Sequence, residues 1–280
     1  MKIGGKKVKF FGLLCLSITL LLSLTPSIYS GFASPENKTL IQPQGTQNMS
    51  TNTTNATTNI VLVHGGWADG SGWSKQIPVL RDAGYKVIAA QLPTHSLSDD
   101  VETVKRAIAF IGGPTILVGH SYGGEVITNA AFNNPNVTGL VYIAAFAPDE
   151  GQSLSSFVDP AKFPKDLFVV DSGGFIYLNP EIFRENFAQD VDPAEADIMA
   201  IVQKPFHQSN FVEKSGPPAW KQLPTWYQIS TADHMIPPDV QRMFAQRMNA
   251  TTISLPASHA SYVSHPNEIT QLILNAAKGK

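Results

Sequence analysis

A serine stands between two glycines at the point where an apolar run meets a helical pattern. The pentapeptide GHSYG, from Gly119 to Gly123, follows the apolar residues 116–118 and precedes a helix-like segment. This is the G-x-S-x-G pattern, in which a sharp strand-to-helix turn presents the serine hydroxyl as a nucleophile. The alternative is an ordinary glycine-rich turn with a capping serine. The strand-to-helix context favours Ser121 as a nucleophile.

A nucleophilic serine needs a histidine base and a carboxylate that orients the histidine. With this motif, the acid and then the histidine follow the serine along the chain. His259 ends the last predicted strand, so we expect it, rather than His265 at the start of the final helix, to be the base. Asp233 ends the penultimate predicted strand and is the expected acid, with Asp149 after an earlier strand as the alternative.

Backbone amides that bind the developing oxyanion are expected from two turns. One is the turn after the first core strand, HGGWADGSGW, and the other is the start of the helix that follows the serine. The sequence therefore predicts that the amides of Gly66 and Tyr122 converge on the substrate carbonyl oxygen. His64 lies in the first turn but precedes the serine, so we interpret it as a brace for the turn.

These residues need a scaffold that brings strand ends together. Six apolar runs are typical of buried strands, at residues 60–63, 86–93, 114–121, 139–148, 225–234 and 251–260. Helical patterns lie between and after them, at residues 73–83, 99–111, 123–132, 238–248 and 267–277. This alternation predicts an α/β fold with a doubly wound, mainly parallel sheet, whose strands all end at one edge, where ligands bind.

The alternation breaks between residues 148 and 220, in a segment rich in Phe, Pro and Asp. We predict a helical cap there, with helices at 180–187 and 193–202, which excludes water and shapes a pocket. The aromatic residues that are candidates for substrate binding are Trp67, Phe146, Phe175, Tyr177, Phe206 and Phe211. The alternative for each of them is that it only joins the cap to the core.

Four segments together resemble one known family. VLVHGGW, GHSYGG, STADHMIPP and SHASYVSHP, in this order, look like the α/β-hydrolase superfamily, in the small esterase branch that contains plant methyl esterases and hydroxynitrile lyases. The resemblance covers residues 59–280 and implies an α/β-hydrolase fold. It also implies triad roles for Ser121, Asp233 and His259, with Gly66 and Tyr122 as oxyanion amides. In one respect the sequence departs from the lyases, because Ala260 stands where they have a lysine. The two leading antiparallel strands of larger members are also expected to be absent, because the predicted tether stands in their place.

The N-terminal part has a different composition. Lysines precede a short apolar run within residues 1–33, which is typical of a secretory signal peptide or an uncleaved N-terminal anchor. Residues 34–58 are rich in Asn and Thr and predict a disordered tether. The hydrolase domain is expected at 59–280. The chain is therefore predicted to be exported, either secreted or tethered to the outer face of the cytoplasmic membrane, and any membrane contact is expected only through an uncleaved N-terminal segment.

Composition narrows the chemistry further. The net charge is −2, and no basic cluster lies beyond the first ten residues, which argues against nucleic-acid binding. The one cysteine, Cys15, lies in the leader, so the exported part has no thiolate for a metal site. The sequence predicts a cofactor-free and metal-free serine hydrolase that cleaves small carboxylic esters through an acyl-enzyme. A lactonase or amidase on the same triad, a hydroxynitrile-lyase-like enzyme and a catalytically silent binding protein are the alternatives.

Overall fold

The structure is a computed structural model that describes residues 58–280. The predicted leader at 1–33, and all of the predicted tether except its last residue, lie outside the described residues. Within residues 58–280, no helix is both long enough and apolar enough to cross a membrane.

Strands and helices alternate through most of the described chain. The strands are β1 (Asn59–Val63), β2 (Val87–Ala90), β3 (Thr115–His120), β4 (Val137–Ile143), β5 (Phe168–Val170), β6 (Phe175–Leu178), β7 (Phe206–His207), β8 (Thr225–Ser230) and β9 (Thr251–Leu255). The α-helices are α1 (Gln76–Asp82), α2 (Leu97–Ile111), α3 (Tyr122–Ala130), α4 (Pro180–Phe187), α5 (Pro193–Val202), α6 (Pro238–Arg247), α7 (Ser261–Ser264) and α8 (Pro266–Ala277).

Six strands form the central sheet, in the order β2-β1-β3-β4-β8-β9. Every neighbouring pair in this sheet is parallel. The strands therefore all end at one edge, and β3, β8 and β9 bring the segments that follow them to that edge. This confirms the predicted doubly wound parallel sheet. The predicted absence of the two leading antiparallel strands concerns the chain before residue 58, which lies outside the described residues.

The sheet forms because its central strands are apolar on both faces. All residues of β1 and β3 are buried, which requires helices to cover both sides of the sheet. Helix α2 illustrates how the helices meet that need: Leu97, Val101 and Val104 recur at helical spacing and are buried. The side chain of Ser96 accepts a hydrogen bond from the amide of Asp99 and caps the start of this helix.

The cap is the insertion between β4 and β8. The sequence predicts a helical cap, but the structure contains strands as well as helices there. It contains α4 and α5, but also a three-stranded antiparallel sheet of β5, β6 and β7. The reason is local: β5 and β6 consist of aromatic, β-branched and leucine residues, which favour strands. A turn joins them, in which Oδ1 of Asp171 accepts hydrogen bonds from the amides of Gly173 and Phe175.

Candidate active site

Ser121 occupies a sharp turn between β3 and α3. Its φ of 55° and ψ of −125° lie in a region that non-glycine residues rarely adopt. The flanking glycines allow this turn: a Cβ at Gly119 would lie 2.5 Å from the carbonyl oxygen of Gly123, and one at Gly123 would lie 2.6 Å from that of His64. The amide of Phe146 donates to the carbonyl of Ser121 at 3.0 Å and holds the turn against the segment after β4.

A hydrogen-bonded chain of three side chains runs through this edge of the sheet. Nε2 of His259 lies 2.8 Å from Oγ of Ser121, and Nδ1 of His259 lies 2.8 Å from Oδ2 of Asp233. All three residues are buried, with no more than 5% of any of them exposed. The three residues follow β3, β8 and β9, so the parallel sheet brings them together from positions up to 138 residues apart. This arrangement allows the imidazole to accept the serine proton while the carboxylate faces its other nitrogen.

The carboxylate of Asp233 is held by four donors. Oδ1 accepts from the amides of Met235 at 2.7 Å and Ile236 at 2.9 Å. Oδ2, which faces His259, also accepts from Nε2 of Gln241 at 2.7 Å. Sequence reasoning missed Gln241, because a glutamine in the first turns of α6 carries no motif. Its full burial in the structure is what identifies it as part of the site.

The imidazole of His259 is fixed by a second histidine and a cap phenylalanine. Nε2 of His120 donates to the carbonyl oxygen of His259 at 2.9 Å, and the two rings lie 4.7 Å apart. Burial, reinforced by the nearby His259, lowers the pKa of His120 well below its usual range, so His120 stays neutral. The ring of Phe187, at the end of α4, meets the His259 ring at 4.9 Å and 78°. Cap and core therefore both determine where the imidazole points.

The two predicted oxyanion donors lie beside this chain. Gly66 and Tyr122 line the same cavity as Ser121 and His259. Within residues 58–280, neither amide donates a hydrogen bond to another protein group. Their N–H groups are therefore free to bind a ligand oxygen, which is the role the sequence predicts for them.

His64 braces the turn that carries Gly66. Its Nδ1 donates to the carbonyl of Gly65 at 2.8 Å, and its Nε2 accepts from the amide of Leu92 at 3.0 Å. Burial lowers the pKa of His64 to about 4, so the ring is neutral and can accept at Nε2. His64 thus joins the end of β1 to the segment after β2.

A buried polar network lies behind Tyr122. Its hydroxyl donates to Oδ2 of Asp100 at 2.7 Å and lies 3.1 Å from Oδ1 of Asn210 in the cap. Asp100 also accepts from the amide of Thr94 at 2.8 Å, and Asn210 donates to the carbonyl of Thr94 at 2.9 Å. Burial raises the pKa of Asp100 to about 6. Sequence reasoning missed this network. A signal for it was present: Asp100 is a charged residue on the otherwise apolar face of α2, beside Val101.

The cavity at Ser121 has a volume of about 30 Å³. Of the predicted binding residues, the cavity wall includes Trp67, Phe146, Phe206 and Phe211. It also includes residues that the sequence analysis did not select: Leu154, Val158, Phe163, Phe168, Met235 and Ile236.

Phe175 and Tyr177 do not line the cavity, and this corrects the prediction. Both belong to β6, where side chains alternate between faces, so they share one face while Ile176 takes the other. The ring of Phe175 packs instead against His95 at 5.2 Å and His207 at 5.0 Å.

The alternative candidates, Asp149 and His265, do not line the cavity at Ser121. Asp149 pairs with Nζ of Lys221 at 2.5 Å at the surface, and that hydrogen bond lowers the pKa of Asp149. His265 immediately precedes α8, and its Nδ1 lies 2.9 Å from Oγ of Ser264. In the part of the chain that the structure describes, no group of three His, Cys, Asp or Glu side chains is arranged to hold a metal ion.

Known proteins resemble this chain in sequence and in structure. Residues 60–272 match the model of a family described as the alpha/beta hydrolase family. A pyrethroid hydrolase from Sphingobium wenxiniae is 31% identical over 249 residues, which are 79% of this chain and 88% of that protein. A polyneuridine aldehyde esterase from Rauvolfia serpentina is 25% identical over 250 residues, 78% of this chain and 94% of that protein. The crystal structure of a pyrethroid hydrolase from Sphingobium faniae matches with a TM-score of 0.68 at 28% identity, over 79% of this chain and 97% of that chain.

Proposed function

We propose, from the premise that this chain belongs to the alpha/beta hydrolase family, that it is a serine hydrolase that cleaves small carboxylic esters through an acyl-enzyme. The observation that carries the proposal is the pair of 2.8 Å hydrogen bonds that joins Asp233, His259 and Ser121. The names of the two relatives, a hydrolase and an esterase, support the ester as the bond that is cleaved.

The acylation step uses the geometry of the chain directly. Oγ of Ser121 attacks the ester carbonyl carbon, and its proton passes to Nε2 of His259, which lies 2.8 Å away. The carboxylate of Asp233 stabilises the imidazolium that forms, through the bond at Nδ1. His259 then protonates the leaving alcohol, and the acyl group remains on Ser121.

The carbonyl oxygen becomes negatively charged in the tetrahedral intermediate. The free amides of Gly66 and Tyr122 are placed to donate to it, and the start of α3 adds the positive end of a helix dipole. In the second step, His259 takes a proton from water as the water attacks the acyl-enzyme, which releases the acid and restores the serine. This step makes the enzyme a hydrolase rather than an acyl carrier.

The decisive experiment compares the full chain with its Ser121→Ala variant on p-nitrophenyl esters from acetate to decanoate. We expect wild-type turnover and a loss of about a thousandfold or more in kcat for the variant. Ser98→Ala, an exposed serine on α2, is the matched control and is expected to keep full activity. Covalent labelling by a serine-directed phosphonate should follow the same pattern.

Two outcomes contradict the proposal. One is no turnover by a folded wild type on any ester of the series. The other is equal turnover by wild type and Ser121→Ala. A matched amide and a lactone, run beside the ester of best chain length, distinguish esterase from amidase or lactonase action, because the same three side chains serve all three reactions. Cyanohydrin cleavage is disfavoured because Ala260 follows His259, where the lyases have a lysine.

We also propose that the chain is exported, from the lysines and the apolar run within residues 1–33. Expression of the full chain with fractionation into medium, membrane and cytoplasm tests this. Recovery of all the protein in the cytoplasm contradicts it.

A further inference from the structure

A second apolar space lies next to the cavity at Ser121. This outer cleft has a volume of about 270 Å³, against about 30 Å³ for the cavity at the serine. The residues that line the outer cleft are Ser155, Val158, Phe163, Phe168, Ile176, Phe211 and Val212. One water needs roughly 10–15 Å³ of such volume, so the cavity at the serine has room for only a few water-sized groups. The larger space for an apolar group therefore lies in the outer cleft, next to the cavity at the serine.

The two spaces share part of their lining. Val158, Phe163, Phe168 and Phe211 line both of them. We call these four residues the partition. Phe163 and Phe168 meet edge to face at 5.2 Å, and Phe211 meets Phe206 edge to face at 5.3 Å. The partition residues therefore border both the cavity at Ser121 and the outer cleft.

The partition rings are less buried than Phe206, another residue of the cavity wall. Phe163, Phe168 and Phe211 are each partly exposed, whereas Phe206 is 1% exposed. A Cβ built at Gly66 would lie 3.1 Å from the ring of Phe206, which shows how closely that ring packs. A partly exposed ring turns by a side-chain rotation, while a closely packed one must displace its neighbours.

Trp67 is a wall residue of the cavity at Ser121 whose side chain is held by a hydrogen bond. Its Nε1 donates to the carbonyl oxygen of Ile176 at 2.9 Å, so the indole is tied to the cap. Its ring lies 5.7 Å from Phe168 and 6.2 Å from Phe211. If the partition rings turn aside, Trp67 stays in place as one wall of the cavity, beside Gly66.

The lining of both spaces determines which substrates fit. No Asp, Glu, Lys or Arg lines either space, and His259 is the one ionisable group in their walls apart from the phenol of Tyr122. A charged group there would lose its hydration without gaining a partner. Apolar and aromatic groups would gain from burial and from edge-to-face contacts.

We propose that the outer cleft binds one apolar arm of a neutral ester, and that Phe163, Phe168 and Phe211 turn aside to join the cleft to the cavity at Ser121. The proposal rests on the proposed function, because it assumes that Ser121 is the reacting group. It assigns the enzyme to uncharged esters with an aromatic or branched apolar arm.

The test places a larger side chain in the outer cleft, at a residue that does not line the cavity at the serine. Val212 is 63% exposed and lines the outer cleft but not the cavity at the serine. We measure kcat/KM for 2-naphthyl acetate and for vinyl acetate with wild type and Val212→Trp. The ratio of the two values should fall by about tenfold or more in the variant, a change of about 1.4 kcal/mol. Val169→Trp, at a 50% exposed cap position that is outside both spaces and on the other face of β5 from Phe168, should leave the ratio unchanged.

Two further measurements test the partition and the preference for uncharged esters. Phe163→Ala should raise the ratio, because it removes one ring of the partition. The wild type should cleave 6-carboxy-2-naphthyl acetate at least about tenfold less efficiently than 2-naphthyl acetate. An unchanged ratio in Val212→Trp, or equal efficiency on the charged and neutral naphthyl esters, overturns the proposal. Cleavage of vinyl acetate that depends on Ser121 keeps the proposed function intact in either case.

Discussion

The hydroxyl of Tyr122 donates to Oδ2 of Asp100 across 2.7 Å, in a region where both residues are buried. Tyr122 lines the cavity at Ser121, while its phenol reaches back to Asp100 on α2 and to Asn210 in the cap. One residue therefore links the cavity at Ser121, helix α2 and the cap. We therefore expect that removing the hydroxyl of Tyr122 lowers the rate of the proposed reaction at Ser121.

Tyr122→Phe tests that link. Loss of the hydroxyl leaves Asp100 buried with one donor fewer, so we expect the free energy of unfolding to fall by about 1–3 kcal/mol. We also expect kcat to fall more than KM changes, because the amide at the start of α3 is less firmly placed. Urea unfolding and ester kinetics measure the two effects. Tyr85→Phe is the control, and equal losses in both variants would show that the network has no special role.

Asp100 should make stability depend on pH. Burial raises its pKa from the usual 3.8 to about 6, against the effects of the Thr94 amide, the Tyr122 hydroxyl and Lys204, while Asp99 adds to the rise. Between these two values the folded protein holds a proton that the unfolded chain has lost, so the free energy of unfolding falls as pH rises through this window.

The comparison with Asp100→Asn isolates this contribution. The stability of wild type relative to the variant should decline from pH 4 to pH 7 by an amount on the order of 2 kcal/mol. Unfolding curves in urea at several pH values give the difference. A difference that stays flat or rises with pH would be inconsistent with a protonated Asp100 in the folded state.

Gln241→Leu tests the support of the carboxylate. Nε2 of Gln241 donates to Asp233 at 2.7 Å, and its Oε1 accepts from the amide of Ser230 at 2.9 Å. We expect kcat to fall by about tenfold or more with little change in KM, because Asp233 loses a donor on the oxygen that faces His259. Gln246→Leu, at an exposed position of the same helix, should leave kcat unchanged. The idea fails if the two variants have the same kcat.

Phe187→Ala tests the cap's hold on the imidazole. The ring of Phe187 is fully buried and meets the ring of His259 at 4.9 Å, so truncation leaves a cavity next to the base. We expect a loss of about 3–5 kcal/mol in unfolding free energy and a lower kcat. The matched control is Phe110→Ala, whose ring is 87% exposed and whose loss should be within about 0.5 kcal/mol. Thermal and urea unfolding compare the two truncations.

The sequence contained enough to predict the sheet and the residues at its edge. Apolar runs such as 60–63 and 114–121 report strands buried on both faces, and parallel strands must end at one edge. Residues directly after those strands, Ser121, Asp233 and His259, could therefore be expected near one another. Periodicity and turn chemistry are properties of neighbouring residues, which is why the chain alone reveals them.

Tertiary structure decided which residues surround Ser121, Asp233 and His259. The strand at Phe175–Leu178 turns Phe175 and Tyr177 away from the cavity, and only its pairing within the cap determines which face points inward. Gln241 meets Asp233, and Asn210 meets Tyr122, across 8 and 88 residues of chain. Such contacts depend on how separate elements pack, on side-chain rotation and on the exclusion of water, and no local pattern encodes them. The chain by itself thus determined the sheet and the order of the residues at its edge, and packing decided the shape and lining of the space in which they meet.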